Sequence, residues 1–510
     1  MAPAARTAAR ALGVLLSAGA AGRAAAQLYQ FDAAVVPEGR SMQTMYAFYV
    51  FSHADTPDRS MGSPFVKFHQ LALHTSSARE NETDAKLSSY QSLQLSFLPY
   101  WDFWRLIDPN QFCSTAHDVQ MGKASKPHEL LVRKDSSSVN YMYTHTLSFG
   151  QGSVMKDAEA NIRATGVYVL AFSNCGEFDQ ATLTGSVIVK NSYGFLPGNE
   201  YYKMPFYGVL SLVYTAIGVF WATLSMRYWR DILYIQSCIS GVIFLGLVEA
   251  FLWWIMFSQW NNSGNRNIVI FILAILCTVL KSIFSYMLVL VASLGWGVTR
   301  PFLDQRTILK IQGVSVLYII LDFIREVAIA LRHSHTFSMP FVVTCLLPVS
   351  LLNGIIFHWI FTALSGLIET LAERRQEEKL TLFQNLSKLL ALALLCAFAV
   401  LAWQIFDLST DISIRWHYQW FYADAIPHLL FLWVLAVIMY LWAPNRSSKN
   451  KFAYSQPGSK DPDDDAKVGA WDEALDDDGD EDDAFWATTS AADTSAVPAT
   501  KLGAATEVEA

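Results

Sequence analysis

Charge is scarce in this sequence. Only 16% of its 510 residues are Asp, Glu, Lys or Arg, where soluble domains carry about 25%. That deficit excludes an ordinary water-soluble fold for the chain as a whole. No Lys/Arg cluster marks a nucleic-acid surface. No HExxH, HxxxH, phosphate loop or nucleophile elbow occurs. A membrane zinc hydrolase needs about three converging ligands and an open position. His358 and His428 fall in apolar runs, His417 in a polar loop, and His333 and His335 only flank Ser334. A non-enzymatic protein without cofactor or metal is expected.

Cysteine is also rare, with six in the chain. Cys238, Cys277, Cys345 and Cys396 lie in apolar runs, where a lone cysteine behaves as a small hydrophobe. Only Cys113 and Cys175 lie in the polar N-terminal half. If that half is luminal, its redox environment permits a disulfide between them.

What is abundant is apolar residue, 53% of the chain, gathered between about Pro205 and Ala443. Seven runs fall near 205–225, 232–257, 268–294, 307–331, 341–368, 388–406 and 425–443. Each is long enough to cross about 30 Å of hydrocarbon at about 1.5 Å per residue. One set of flanks holds Arg227, Arg230, Arg300, Arg306, Lys310, Arg374, Arg375, Lys379 and Lys388, then Arg446, Lys449 and Lys451. The opposite loops hold Arg266, Arg332 and Arg415. The richer side is cytoplasmic by the positive-inside rule, which puts the N-terminus in the lumen. Tyr228, Trp229, Trp253, Trp254, Trp260, Trp296, Trp416, Trp420 and Trp442 sit where interfacial aromatic belts anchor a bundle.

The ends of the chain fit this topology. Arg6 and Arg10 precede an apolar stretch, Ala11 to Ala21, too short to span about 20 residues but suited to a signal peptide over residues 1–26. Residues 27–203 hold no spanning run. Stretches rich in strand formers, Met45–Ser52, Ser92–Phe97, Ser138–Ser148, Gly166–Asn174 and Ala181–Lys190, predict an antiparallel β-sandwich. Gly166–Asn174 is apolar on both parities, as a central strand is. Asn81 opens a glycosylation sequon in a polar stretch. Asp461 to Trp486 carries 13 acidic residues and one Lys. That composition predicts a disordered tail within residues 444–510. Trp471, Phe485 and Trp486 stand in it as docking points for a sorting partner.

Ionisable residues inside the spanning runs are costly and need partners. Lys281 lies midway along the third run. Glu249 lies about four residues, roughly 6 Å, lumenward of the second run's centre, and Asp322 about three residues lumenward of the fourth's. All three share one depth band, so Lys281 can be neutralised by either acid. Asp424 sits at the luminal mouth of the last run. Two readings stay open. One is a polar cavity for a lipid headgroup or ion, the other an ion pair locking helices two, three and four. Arg325 and Glu326 are expected to snorkel to the interface.

Several segments then stand out together. They are Tyr193–Pro197 with Tyr202–Tyr207, Tyr228–Asp231, Gly241–Glu249, Ser293–Pro301, Leu441–Pro444 and Lys451–Ser455. Over about residues 166–455 the chain resembles the lung seven-transmembrane receptor family of GOLD-domain membrane proteins, and within it the transmembrane protein 87-like branch and its fungal relatives. The resemblance implies a GOLD-like luminal sandwich (27–203) on a seven-helix bundle (204–443). It implies a Golgi protein of endosome-to-Golgi retrograde traffic, working through cargo or lipid binding in a bundle cavity. The alternatives are a cation channel or regulator of Golgi pH, and a G-protein-coupled-receptor-like signalling protein. Glu249 and Lys281 match charged positions of the resembled motifs, which favours the cavity reading. The expected partners are a membrane lipid, such as a phospholipid in the bundle cavity, and trafficking adaptors or coats on the acidic tail. Animal relatives carry a further luminal cysteine before the last helix. Leu408 to Ala423 has none, which argues against a covalent tie there.

Overall fold

A computed structural model describes residues 28–35, 39–56, 58–75, 93–108, 110–133, 140–147, 158–175, 181–296, 304–332, 339–407 and 411–444. The signal-peptide segment, Asn81, Trp471, Phe485 and Trp486 lie outside the described residues.

The N-terminal part is an antiparallel sandwich of two four-stranded sheets. Its strands are β1 (Leu28–Val35), β2 (Ser41–Val50), β3 (Phe65–Thr75), β4 (Leu93–Pro99), β5 (Tyr143–Leu147), β6 (Ala158–Asn161), β7 (Gly166–Asn174) and β8 (Ala181–Lys190). One sheet runs β1-β8-β3-β6, the other β2-β7-β4-β5. β7 keeps the expected bounds and is buried at every position. It lies between β2 and β4, and its inward rings meet those of its neighbours. Phe97 stacks on Tyr168 at 4.6 Å between centroids, beside Phe48 and Phe172. Burial of such large aromatic surfaces is the main stabilising contribution here. Cys113 and Cys175 form a disulfide, tying the end of β7 to the excursion between β4 and β5.

Seven long helices follow: α1 (Lys203–Arg227), α2 (Tyr234–Ser263), α3 (Ile268–Ser293), α4 (Gln305–Arg332), α5 (Met339–Glu373), α6 (Glu377–Asp407) and α7 (Ile426–Leu441). All seven are long and apolar enough to cross a membrane, the last when counted from Phe421. Two bounds correct the sequence reading. α6 starts eleven residues before the expected 388, because Leu382, Phe383 and Leu386 form a buried stripe beneath Lys379 and Lys388. Lys388 is therefore a helix residue, not a loop residue. α7 is entered through a π turn at Phe421–Ala425, a widened turn that often marks function in a helix.

The sandwich rests on the bundle through an aromatic seam. Phe51, just past β2, packs on Trp416 with centroids 5.1 Å apart, and Trp416 is fully buried. Asn261 near the end of α2 donates to the Tyr193 carbonyl at 2.7 Å, and its Oδ1 accepts from Leu196 N at 3.2 Å. Gly194 has φ 140, and a Cβ there would stand 2.4 Å from Asn261 Oδ1. Only glycine allows so close an approach in that conformation.

Candidate functional site

α2, α3 and α7 bring the buried charge together. Lys281 Nζ forms an ion pair with Glu249 Oε2, and both side chains are nearly inaccessible, at 6% and 1%. The same ammonium lies 3.5 Å from His428 Nδ1 and 4.8 Å from the Phe431 ring centroid. His428 Nε2 is 3.1 Å from the Tyr207 hydroxyl on α1. With Nδ1 turned to the Lys281 ammonium, the tautomer that carries its proton on Nε2 can donate to the Tyr207 hydroxyl. The result is a chain of contacts, Glu249–Lys281–His428–Tyr207, running across four helices. Tyr207 is held in turn by Trp253 and Phe257, which stack on it at 5.9 Å.

Asp322 does not join this set. The equal depth that suggested a Lys281 partner does not fix which way a side chain points around its helix. Asp322 pairs instead with Arg325, one turn along α4, at 2.9 Å. Arg325 also binds Glu326 at 2.5 Å. Both Arg325 and Glu326 therefore turn into the bundle rather than snorkelling away from it. Asp424, in the π turn, meets Lys203 Nζ at 2.9 Å, and Glu200 meets the same nitrogen at 2.8 Å.

Most of these groups line one cavity of about 720 Å³, within the range of about 300–1,000 Å³ usual for ligand sites. Glu249 and Asp322, expected there from the sequence, are not among its lining residues and reach it only through their partners Lys281 and Arg325. Along α3 its wall runs from Phe271 to Val289, about 27 Å of helix. Polarity is graded along that length. Glu200, Lys203, Arg266 and Asp424 ring the end beneath the sandwich. Lys281 and His428 lie midway. Ile360, Leu390 and Val434 line the far end. Among the described residues no group of three or more His, Cys, Asp or Glu is placed to hold a metal.

Sequence reasoning missed three contributors. Lys203 reads as the last residue of a polar segment, Arg266 as a loop charge, and Tyr207 only as the end of the Tyr202–Tyr207 segment. Helix ends are ordinary places for all three types. The available signal was a lysine one turn before Tyr207 facing an aspartate at the mouth of the last run.

The GOST seven-transmembrane family model matches residues 202–450, the span that holds the whole helical part of the site. Transmembrane protein 87A of Xenopus tropicalis is 26% identical over 364 residues, covering 69% of this chain and 65% of that protein. Transmembrane protein 87A of Homo sapiens is 32% identical over 287 residues, covering 56% of this chain and 50% of that protein. Membrane protein PTM1 of Saccharomyces cerevisiae is 26% identical over 321 residues, 59% of each chain. The matches thus span about half to two thirds of the relatives' own length. Residues 202–450 are a GOST seven-transmembrane domain, and its relatives are transmembrane proteins 87A and 87B and the fungal PTM1 protein.

Proposed function

We propose that this chain is a non-catalytic membrane protein of the Golgi whose bundle binds one lipid-like amphiphile, and that membrane traffic depends on that binding. The observation that carries the reading is the grading of the cavity. Charged groups crowd the end under the sandwich, Ser282, Ser285 and Tyr286 of α3 follow Lys281, and Ile360, Leu390 and Val434 line the other end. An amphiphile has the same polarity along its length, and burying its tails against Ile360, Leu390 and Val434 supplies the hydrophobic gain. A free polar metabolite leaves those walls bare.

The cation-channel alternative is less well supported. Lys203, Arg266, Lys281 and Arg325 face the cavity against Glu200, Glu326 and Asp424, which leaves an excess of one positive charge, at Arg266, and fixed positive charge repels a permeating cation. The resemblance and the basic flanks together favour a luminal sandwich and a cytosolic acidic tail. Trp471, Phe485 and Trp486 would then serve adaptors or coats, and truncation after Ser459 should move the protein out of the Golgi.

The direct test is native mass spectrometry of the full chain in mild detergent, with lipid extraction. The expected result is a co-purifying membrane lipid near one per chain, lost on exhaustive delipidation with a fall in melting temperature. A wild-type protein that carries none and is not stabilised by any added membrane lipid overturns the proposal.

A further inference from the structure

Four cations line the cavity, and three of them are matched. Lys203 is held by Glu200 and Asp424, Lys281 by Glu249, and Arg325 by Asp322 and Glu326. Arg266 is different. Among the described residues it makes no ion pair. Its guanidinium lies over the rings of Trp260 and Phe271, 4.3 Å and 4.8 Å from their centroids. Glu200 is the carboxylate that acts on it most strongly, and Glu200 is already engaged by Lys203 at 2.8 Å. Burial accordingly holds the Arg266 guanidinium below its usual range, as expected of a charge with too little compensation.

The local backbone fixes this residue. Gly264 ends α2 at φ 73, a left-handed conformation that glycine takes without strain. Asn267 caps α3, its side chain accepting from Val269 N and Ile270 N. Arg266 stands between these two fixed points, and two rings clamp its guanidinium. Stacking occupies the face of a guanidinium and leaves its in-plane N–H groups available. Those donors border the charged end of the cavity.

We infer that Arg266 is the anion subsite of the cavity and holds the phosphate of a phosphate-bearing ligand. The planar fork matches two phosphate oxygens at once, which an ammonium does not. The inference rests on the amphiphile reading for the rest of the ligand, whose apolar part would lie along α3 towards Val289. The phosphate itself has two sources, a lipid headgroup or free phosphate.

The test uses the full chain in detergent and three probes: dioleoyl phosphatidic acid, dioleoylglycerol and inorganic phosphate. The two lipids differ only in the phosphate. Wild type should bind phosphatidic acid about tenfold or more tightly over dioleoylglycerol, the scale of a charge-assisted hydrogen bond. Arg266→Gln should bind the two equally, with its ligand-free melting temperature close to wild type. Should Arg266→Gln fail to fold, Arg266→Lys carries the test. It keeps the charge and loses the fork, and its discrimination should fall about threefold or more. Unchanged discrimination in the variant overturns the inference, as does a wild type that binds both lipids equally; the amphiphile reading survives either result. Stabilisation of wild type by inorganic phosphate alone, abolished in Arg266→Gln, keeps the anion subsite and removes the lipid. Binding of none of the three probes overturns the anion subsite, and the amphiphile reading falls with it only if no other membrane lipid stabilises the chain.

Discussion

The Nζ of Lys203, the first residue of α1, stands 2.9 Å from Oδ2 of Asp424 in the π turn that opens α7. The pair joins the first and last helices at the mouth of the cavity. Its side chains are partly screened from solvent, at 16% and 29% accessibility.

Breaking this pair should loosen the mouth. Lys203→Met leaves Asp424 and Glu200 facing each other without their shared cation. A loss of about 2 kcal/mol is expected, less than for a fully buried pair because solvent still reaches the carboxylates. Lys203→Arg should recover most of it. Thermal unfolding of both variants decides this, and an unchanged midpoint in Lys203→Met rules out a role for the pair in closure.

The seam between sandwich and bundle should be intolerant of small changes. In Gly194→Ala the new Cβ meets Asn261 at about the 2.4 Å of the ideal position, in a backbone conformation strained for alanine. Asn261→Ala instead leaves the Tyr193 carbonyl and Leu196 N–H without their partner. Each should cost about 2–3 kcal/mol. Limited proteolysis of the sandwich reads the loss, and wild-type resistance in both variants counts against a rigid seam.

The places where sequence reading succeeded share a physical cause. β7 was legible because a strand covered on both faces is apolar throughout, and Lys281 and Glu249 because charge in an apolar run stands out. β3 was not legible. Val66 and Phe68 face the core, then a bulge at Gln70, with φ 47, shifts the phase so that Leu71 is the next buried residue. Alternation breaks there, and the strand hides. β1 carries a similar register shift between Phe31 and Ala34, and β6 has only four residues. In the site, depth along a helix was readable but direction around it was not. Asp322 therefore stood beside Glu249 as an equal candidate for Lys281, although Arg325, three residues on, was within reach. Arg266 was invisible because nothing in sequence separates a cavity cation from a loop cation.

Acid should weaken the seam through His417. This residue packs against Trp416 at 3.7 Å between ring centroids and against Phe51 at 5.8 Å. Burial lowers its pKa from the usual 6.5, against a smaller raising influence from Asp55. A histidine with a depressed native pKa binds fewer protons folded than unfolded. Its contribution is therefore fully present above about 6.5 and is lost as pH falls through the lower native value. Asp55 acts in the same direction only in stronger acid, below about 3.8, because hydrogen bonds from Thr165 and Ser52 hold its carboxyl below that usual value. The melting temperature should fall between pH 7.5 and pH 5.5, and fall less in His417→Phe. Parallel curves for the two proteins assign the acid sensitivity elsewhere.

The Lys281–Glu249 pair separates scaffolding from ligand binding. Lys281→Met leaves Glu249 buried without its cation, a change worth about 3–5 kcal/mol. Glu249→Gln strands Lys281 beside His428, with no carboxylate to balance the ammonium. Lys281→Met with Glu249→Gln removes both charges. That double variant should recover most of the stability lost in either single one, because no lone charge remains. The His428–Tyr207 bond is untouched by it. If the pair only locks α2 to α3, lipid content recovers along with stability. If it shapes the midpoint of the cavity for a ligand, stability recovers and lipid content does not. Melting temperature and bound lipid, measured on the same preparations of both singles and the double, distinguish the outcomes. The graded cavity predicts the second result, and full recovery of both properties would reduce these charges to a structural clasp.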